Sequence, residues 1–317
     1  MKPWQVIAPG ALTTVQDRGR EGWRHVGVSR AGALDPDAAA LANRLLGNDP
    51  DAAVLELTLH GPTLKLAQPA RIAIVGAAVA ATSNGRPLPG QRPLTVPAGE
   101  LKLGGIREGV RAWLSVAGGF DLPTILGSRS TDLRGGFGGK EGRALRAGDL
   151  LPLGKSPPMN TAVLQNTAWW IGTDDYDCGI AHPLRYVSSG HPAAAALAER
   201  AWSVSADANR QGIRLRGQPL PNIPHHNVSE PVAVGCIQLP ADGQPIVLLA
   251  DAQTVGGYAR LGYVIAADLP RLAQAGPGAV LAFAAVGIDE ARRINLHHRH
   301  LQARTALAID RQLARHP

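Results

Sequence analysis

Glycine and proline interrupt this chain so often that most of it cannot hold a long stretch of uniform secondary structure. Its 317 residues include 37 Gly and 25 Pro, spread from end to end. Gly supplies positive φ and Pro a fixed φ, the two things tight turns need. Between these punctuation marks lie short apolar runs, such as residues 54–57, 72–75, 111–116 and 246–250. Their length and bounding residues predict strands, and the chain reads as mainly β.

A short turn-and-strand unit recurs. Pro97-Ala98-Gly99-Glu100-Leu101 resembles Arg146-Ala147-Gly148-Asp149-Leu150, and both resemble Gly276-Pro277-Gly278-Ala279-Val280. Each is expected to be a tight turn that launches a strand. The last two copies, like the strands at 111–116 and 246–250, are separated by roughly 130 residues, which suggests two similar barrel-like halves. Chain length also favours two domains. The seam is expected in Gly154-Lys155-Ser156-Pro157-Pro158, giving an N-terminal β-rich domain over 1–157 and a C-terminal barrel with a terminal helix over 158–317. Few helices are predicted. Asp35 caps one that begins at Pro36 and stops at Gly47. Others are expected at 192–202, 268–274 and, longest and rich in Arg and His, at 289–315.

Apolar residues make up 45% and charged residues 18%, enough to fill buried cores. The net charge of +7 does not point to nucleic acid, because the basic residues are scattered among acids and aromatics are only 4%, too few for a base-stacking platform. An anionic substrate or an acidic protein partner suits the same charge. Cys178 and Cys236 lack metal-ligand spacing, so the expectation is a reduced, cytoplasmic protein without a metal site. Residues 1–10 contain no signal-type apolar region, and the longest apolar runs are far shorter than a membrane span.

Several clusters carry possible chemistry. Thr13-Thr14-Val15-Gln16-Asp17-Arg18-Gly19-Arg20 combines Gly with a mixed polar set; it suits a ligand site, though an Asp-Arg pair in a turn is more often structural. Gly127-Ser128-Arg129-Ser130-Thr131-Asp132 offers an Arg for carboxylate or phosphate, but lacks the elbow of a nucleophilic serine. Arg134-Gly135-Gly136-Phe137-Gly138-Gly139-Lys140-Glu141 only approximates a phosphate loop, with Arg134 where Gly and Glu141 where Ser or Thr is required. In the second half, Asp251-Ala252-Gln253-Thr254-Val255-Gly256-Gly257-Tyr258 follows an apolar strand. It can stabilise an oxyanion, or simply form a tight turn at a barrel rim. Asp174, Asp175 and Asp177 read as an exposed acidic loop, and His225-His226 and His297-His298-His300 as surface histidines. Met occurs only at 1 and 159 with no Lys beside Met159, so the Met-Lys-Met biotinyl attachment site is absent and this chain carries no covalent biotin.

The ordered set of motifs resembles the family known as the 5-oxoprolinase C subunit, KipA or allophanate hydrolase subunit 2. It runs from Pro9-Gly10 and Thr13 to Arg20 through Gly32 to Asp35, Ala42-Asn43, Leu55-Glu56, Gly61-Pro62, Asn84-Gly85, Ala117-Gly118-Gly119, Gly127 to Asp132 and Gly148-Asp149. It continues with Asn209-Arg210, Gly212, Arg214-Leu215, Gly235 to Gln238, Asp242 to Ile246, Gln253-Thr254, Gly256 to Tyr258 and Ala267 to Pro270. That resemblance implies cyclophilin-like barrels. It also implies a heteromeric enzyme, with a KipI-like B-type partner and a larger A-type partner, that opens 5-oxo-L-proline to L-glutamate using ATP. ATP and its Mg would be bound mainly by, or shared with, the partners, and this chain would be inactive alone. The same resemblance admits a carboxyltransferase component of a urea or amide carboxylase, or a KipA-type regulator of a KipI-like kinase inhibitor.

On the matching positions, the resemblance implies catalytic roles for Asp17, Arg210, Gln253 and Thr254. It implies substrate contacts for Gln16, Arg18, Asp35, Asn43, Ser128, Arg129, Asn209, Gly256, Gly257 and Tyr258. Arg129 or Arg210 would hold a carboxylate, Gln253 and Thr254 would meet a carbonyl, and Asp17 would position water or an Arg. Departures at Gln211, Ile213, Val255 and Ala259, and over 169–178, bear on the substrate more than on the fold.

Overall fold

The computed structural model describes residues 2–156, 163–172, 182–221 and 228–315. The acidic cluster at 174–177, Cys178, His225-His226, Met159 and the end of the expected seam lie outside them. The protein is mainly β, with few short helices and one long C-terminal helix, Ile288–Arg315. It divides into two compact units. The first comprises 1–20, 31–177 and 304–317; the second comprises 21–30 and 178–303.

The first unit is organised on two long antiparallel strands, Ala70–Ser83 and Gly99–Val116. Along its other edge Gly99–Val116 pairs twice: Val54–Thr58 lies on residues 111–114, and Thr63–Leu66 on residues 99–102. One strand serves two successive partners only if it bends. Glu108 and Gly109 both take positive φ between the two paired stretches, and the ladder to Ala70–Ser83 slips at 76/78 and 79/81. Gly76 is required at the bend, since a Cβ there would come within 2.9 Å of the Trp113 ring. The inward residues, among them Trp4, Leu55, Leu57, Leu64, Ile72, Leu101 and Leu114, form one core.

In the second unit the sheet order begins at Val280–Leu281 and ends at Phe283–Ala285. These two edges are neighbours in sequence, separated only by Ala282. Val280–Leu281 pairs with Trp202–Val204, while Phe283–Ala285 pairs in parallel with Leu184–Ser188. A single interrupted strand therefore returns the eight-stranded sheet onto itself as a near-closed barrel.

The recurring turn is present in all three places. Gly99, Gly148 and Gly278 have positive φ, and each precedes or opens a strand. Two copies close with the same bond, Asp149 N to Arg146 O at 3.1 Å and Ala279 N to Gly276 O at 3.0 Å. The Asp35 cap is also observed: its Oδ1 accepts from the Asp37 and Ala38 amides, each at 3.0 Å, at the start of helix Pro36–Arg44. The helix expected at 192–202 is shorter, Ala194–Ala198, because Trp202 belongs to the barrel strand Trp202–Val204. No helix among the described residues is long and apolar enough to cross a membrane.

Cys236 sits in the core of the second unit with Val232, Leu248 and Ala252. Burial pushes its thiol from an ordinary value near 9 up to about 11. Between those values the folded chain keeps a proton that the unfolded chain has lost, so this group's contribution is present below the window and fades as pH rises through it. Urea denaturation midpoints for wild type and Cys236→Ala, compared below and inside the window, should show a steeper alkaline loss for wild type.

Candidate functional site

The expected site residues fall into two groups, one on each unit. In the first unit, strand Leu12–Gln16 delivers Asp17 to the 127–132 loop, more than a hundred residues away in sequence. Asp17 Oδ1 accepts from Ser130 Oγ at 2.5 Å, Ser128 Oγ at 2.6 Å and the Gly19 amide at 2.8 Å. Its Oδ2 accepts from the Arg129 amide at 2.5 Å, while its own amide donates to Ser130 Oγ at 2.9 Å. A buried carboxylate with four donors is a stable anchor, because each charge-assisted bond offsets part of its desolvation. The two polar clusters at 13–20 and 127–132, read separately in the sequence, meet here, and the geometry makes Asp17 the staple of the 127–132 loop. Gln16 lies beside it, fully buried. Its Nε2 donates to Thr14 Oγ1 at 3.0 Å and Thr131 O at 3.3 Å, and its Oε1 has no hydrogen-bond partner among the described residues.

The remaining members of this group are dispersed. Arg18 is exposed, with Asp51 at 3.4 Å. Arg129 donates from Nε to Leu122 O at 2.8 Å, and its Nη2 lies 3.7 Å from Asp121. Asn43 is part of the scaffold: its Nδ2 donates to Ala52 O at 2.7 Å and Pro50 O at 3.2 Å, and its Oδ1 accepts from Ser115 Oγ at 2.6 Å. Asp35 spends Oδ1 on the helix cap. These contacts of Asp35 and Asn43 do not reach the Asp17 loop.

The glycine-rich 134–142 loop does not present a phosphate cradle. The Arg134 and Gly135 amides donate to Asp132 Oδ1, Gly136 to Asp132 O, Gly139 to Arg129 O and Gly142 to Gly138 O. Lys140 pairs with Glu141 at 2.9 Å. These donors close the loop on itself.

In the second unit, Arg210 and Asp251 form a buried bidentate pair, Nε to Oδ2 at 2.9 Å and Nη2 to Oδ1 at 3.0 Å. Both side chains are 3% exposed. Arg210 therefore ties its turn to the end of strand Ile246–Leu248, as also does the Asp251 amide, which donates to Arg210 O. Asn209 makes the turn itself, its Oδ1 accepting from the Gln211 amide at 2.8 Å. Gln253, Thr254, Gly256, Gly257 and Tyr258 lie on the loop beyond. Thr254 O accepts from Val232 N at 3.0 Å, Gly256 is laddered with Glu230, and Tyr258 is half exposed.

Three residues that motif matching did not select bear on this loop. Gln238, 1% exposed on strand Cys236–Leu239, accepts at Oε1 from Gln253 Nε2 at 3.5 Å. Its Nε2 is buried without a hydrogen-bond partner among the described residues, and a Cβ on Gly256 would lie 2.5 Å from it. Arg24 donates from Nη2 to Val232 O at 2.5 Å and to Gln253 O at 3.4 Å. Burial first, and then the like charge of Arg30, lowers the Arg24 pKa. Gln238 is visible as part of the 235–238 motif. Arg24 and Arg30 stand in no pattern, and only folding brings Arg24 to this loop and Arg30 within range of its charge. Among the described residues, no cluster of His, Cys, Asp and Glu is arranged to hold a metal ion.

The family model for the carboxyltransferase domain, subdomains A and B, matches residues 26–285, and the chain belongs to that family. Among its relatives, the 5-oxoprolinase C subunit of Escherichia coli K12 is 38% identical over 291 residues, covering 90% of this chain and 92% of that protein. The corresponding Haemophilus influenzae protein, also a 5-oxoprolinase C subunit, is 36% identical, covering 89% and 90%. Among solved structures, TTHA0988 has a TM-score of 0.80 at 35% identity over 90% of this chain, which spans 56% of that one. The Kluyveromyces lactis urea amidolyase has a TM-score of 0.84 at 28% identity over 96% of this chain, which spans only 20% of it.

Two outcomes separate scaffold from site. Asp17→Asn should cost about 2–4 kcal/mol in urea unfolding and speed amide exchange at Arg129, since one oxygen can no longer accept. Arg210→Met should cost about 3–5 kcal/mol by stranding Asp251, with much of the loss recovered in Arg210→Met/Asp251→Leu.

Proposed function

We propose that this chain is the C-type component of an ATP-dependent 5-oxoprolinase, which opens 5-oxo-L-proline to L-glutamate together with a KipI-like B-type partner and a larger A-type partner. The observation that carries this reading is the near end-to-end match to two proteins named as 5-oxoprolinase C subunits, whereas the urea amidolyase of Lachancea kluyveri matches over only 17% of its length. In this reading both units are cyclophilin-like barrels.

The chemistry is consistent with a shared enzyme. A lactam is a poor electrophile; phosphorylation of its oxygen creates a leaving group and lets water attack. ATP with Mg is assigned to the partner chains, in keeping with the self-closed 134–142 loop of this chain. Here, Gln253 and Thr254 orient the substrate, Thr254 at its carbonyl, and donors preorganised beside the strands favour the charge that develops on the carbonyl oxygen. Val255 and Tyr258, each more than half exposed on the same loop, suit burial against a partner.

The second reading is a carboxyltransferase acting on urea or a related amide with a separate biotin carrier. The structural likeness to urea amidolyase favours it, and the same carbonyl-polarising loop would serve. A KipA-type regulator would bind a KipI-like protein without turnover.

Co-expression with the A-type and B-type partners decides among them. The expected outcome is ADP and glutamate formation that requires both 5-oxoproline and this chain, with no turnover by this chain alone. Dependence on urea and a biotinylated carrier would move the protein to the second reading, and tight binding without turnover to the third.

A further inference from the structure

If the substrate is 5-oxoproline, something must hold its carboxylate. Arg210 is already closed on Asp251, and Arg129 lies 3.7 Å from the Asp121 carboxylate. Arg24 differs from both. It is half-buried, and among the described residues it has no carboxylate within ion-pair distance; its contacts are the carbonyls of Val232 and Gln253. Carbonyl dipoles orient a guanidinium but do not neutralise it, and a partly desolvated charge is stabilised by an opposite one. Arg30 adds a second positive charge close enough to be felt at Arg24.

A second donor nearby also lacks an acceptor among the described residues. Gln238 Nε2 is buried and unfilled directly behind Gly256, while its Oε1 holds the Gln253 amide. Gln253 thus links the two features, with its backbone oxygen on Arg24 and its side chain on Gln238. A buried amide donor without an acceptor, beside a guanidinium that among the described residues meets carbonyls and no carboxylate, suits an anion.

We propose that Arg24 and Gln253, with Gln238 as the residue that positions Gln253, form a carboxylate subsite that accepts the acid group of a small lactam and so selects it over neutral amides. The identity of the acid rests on the functional reading above; the subsite itself does not. Arg24 would grip the carboxylate through its remaining N–H groups, leaving the ring carbonyl to the donors at Thr254 and Gly256.

The test is ligand-observed NMR titration of the full chain with 5-oxoproline and with 2-pyrrolidinone, the same ring without the acid. Wild type should bind the acid at least about tenfold more tightly, Arg24→Met should bring the two within about threefold, and Arg24→Lys should keep most of the preference. Should Arg24→Met lose its near-UV circular dichroism, Arg30→Gln serves instead: it removes the second charge, keeps both carbonyl contacts of Arg24, and should weaken acid binding severalfold. Equal binding of both rings by wild type, or a preference untouched by these variants, overturns the subsite. Acid-selective, Arg24-dependent binding by a chain whose complex does not turn over 5-oxoproline would keep the subsite and defeat the functional reading. Turnover with an Arg24-independent preference would do the reverse.

Discussion

The first unit depends on one strand that must serve two successive neighbours along the same edge. Gly99–Val116 runs for 18 residues, and its far edge is shared along most of its length with Ala70–Ser83. A strand that long and that heavily paired cannot stay flat against both Val54–Thr58 and Thr63–Leu66. The bend at Glu108 and Gly109 resolves the conflict. Gly61, between the two partners, passes so close to Leu103 that a Cβ there would lie 2.7 Å from Leu103 Cβ. Everything that presents Asp17 follows from this arrangement, because strand Leu12–Gln16 is itself laddered onto Val54–Thr58.

Buried carboxylates are the second recurring device. Glu56 accepts from the Leu34 amide at 2.8 Å and the Trp113 indole at 3.1 Å; Asp268 accepts from the Arg185 amide and guanidinium; Asp17 and Asp251 do likewise in their loops. In each case an acid on or next to a regular element fastens a distant segment whose donors would otherwise be stranded. Such acids resemble catalytic groups in sequence, since both need a charged residue among glycines and hydroxyls. The distinction lies in how many donors reach the oxygens, which only coordinates reveal. With Arg210 and Arg185 closed on these acids, Arg24 stands apart beside the Gln253 to Tyr258 loop, its guanidinium held by carbonyls.

Much of the fold is readable from local chemistry. Asp35-Pro36 announces a capped helix, Gly148 and Gly278 announce turns with the same closing bond, and the C-terminal helix follows from an uninterrupted 289–315 segment. The polar clusters around Asp17 and Ser128 are each visible in the sequence, but the bonds that join them are not. The Ala-rich 192–202 segment misleads, because helix propensity at Trp202 yields to a barrel that needs Trp202 opposite Leu281. Arg24 and Gln238 are not readable as a pair: they are more than two hundred residues apart and share no spacing rule.

What the sequence determined by itself was the class of architecture, the positions of its turns and the family to which the chain belongs. Those properties depend on φ preferences and on motifs, which are local and survive being read one segment at a time. Tertiary structure alone decided which guanidinium is spent on an internal acid, because that depends on distances between residues remote in the chain. Arg210 and Arg24 look alike as letters; one is neutralised by Asp251 at 2.9 Å, and among the described residues the other meets the carbonyls of Val232 and Gln253.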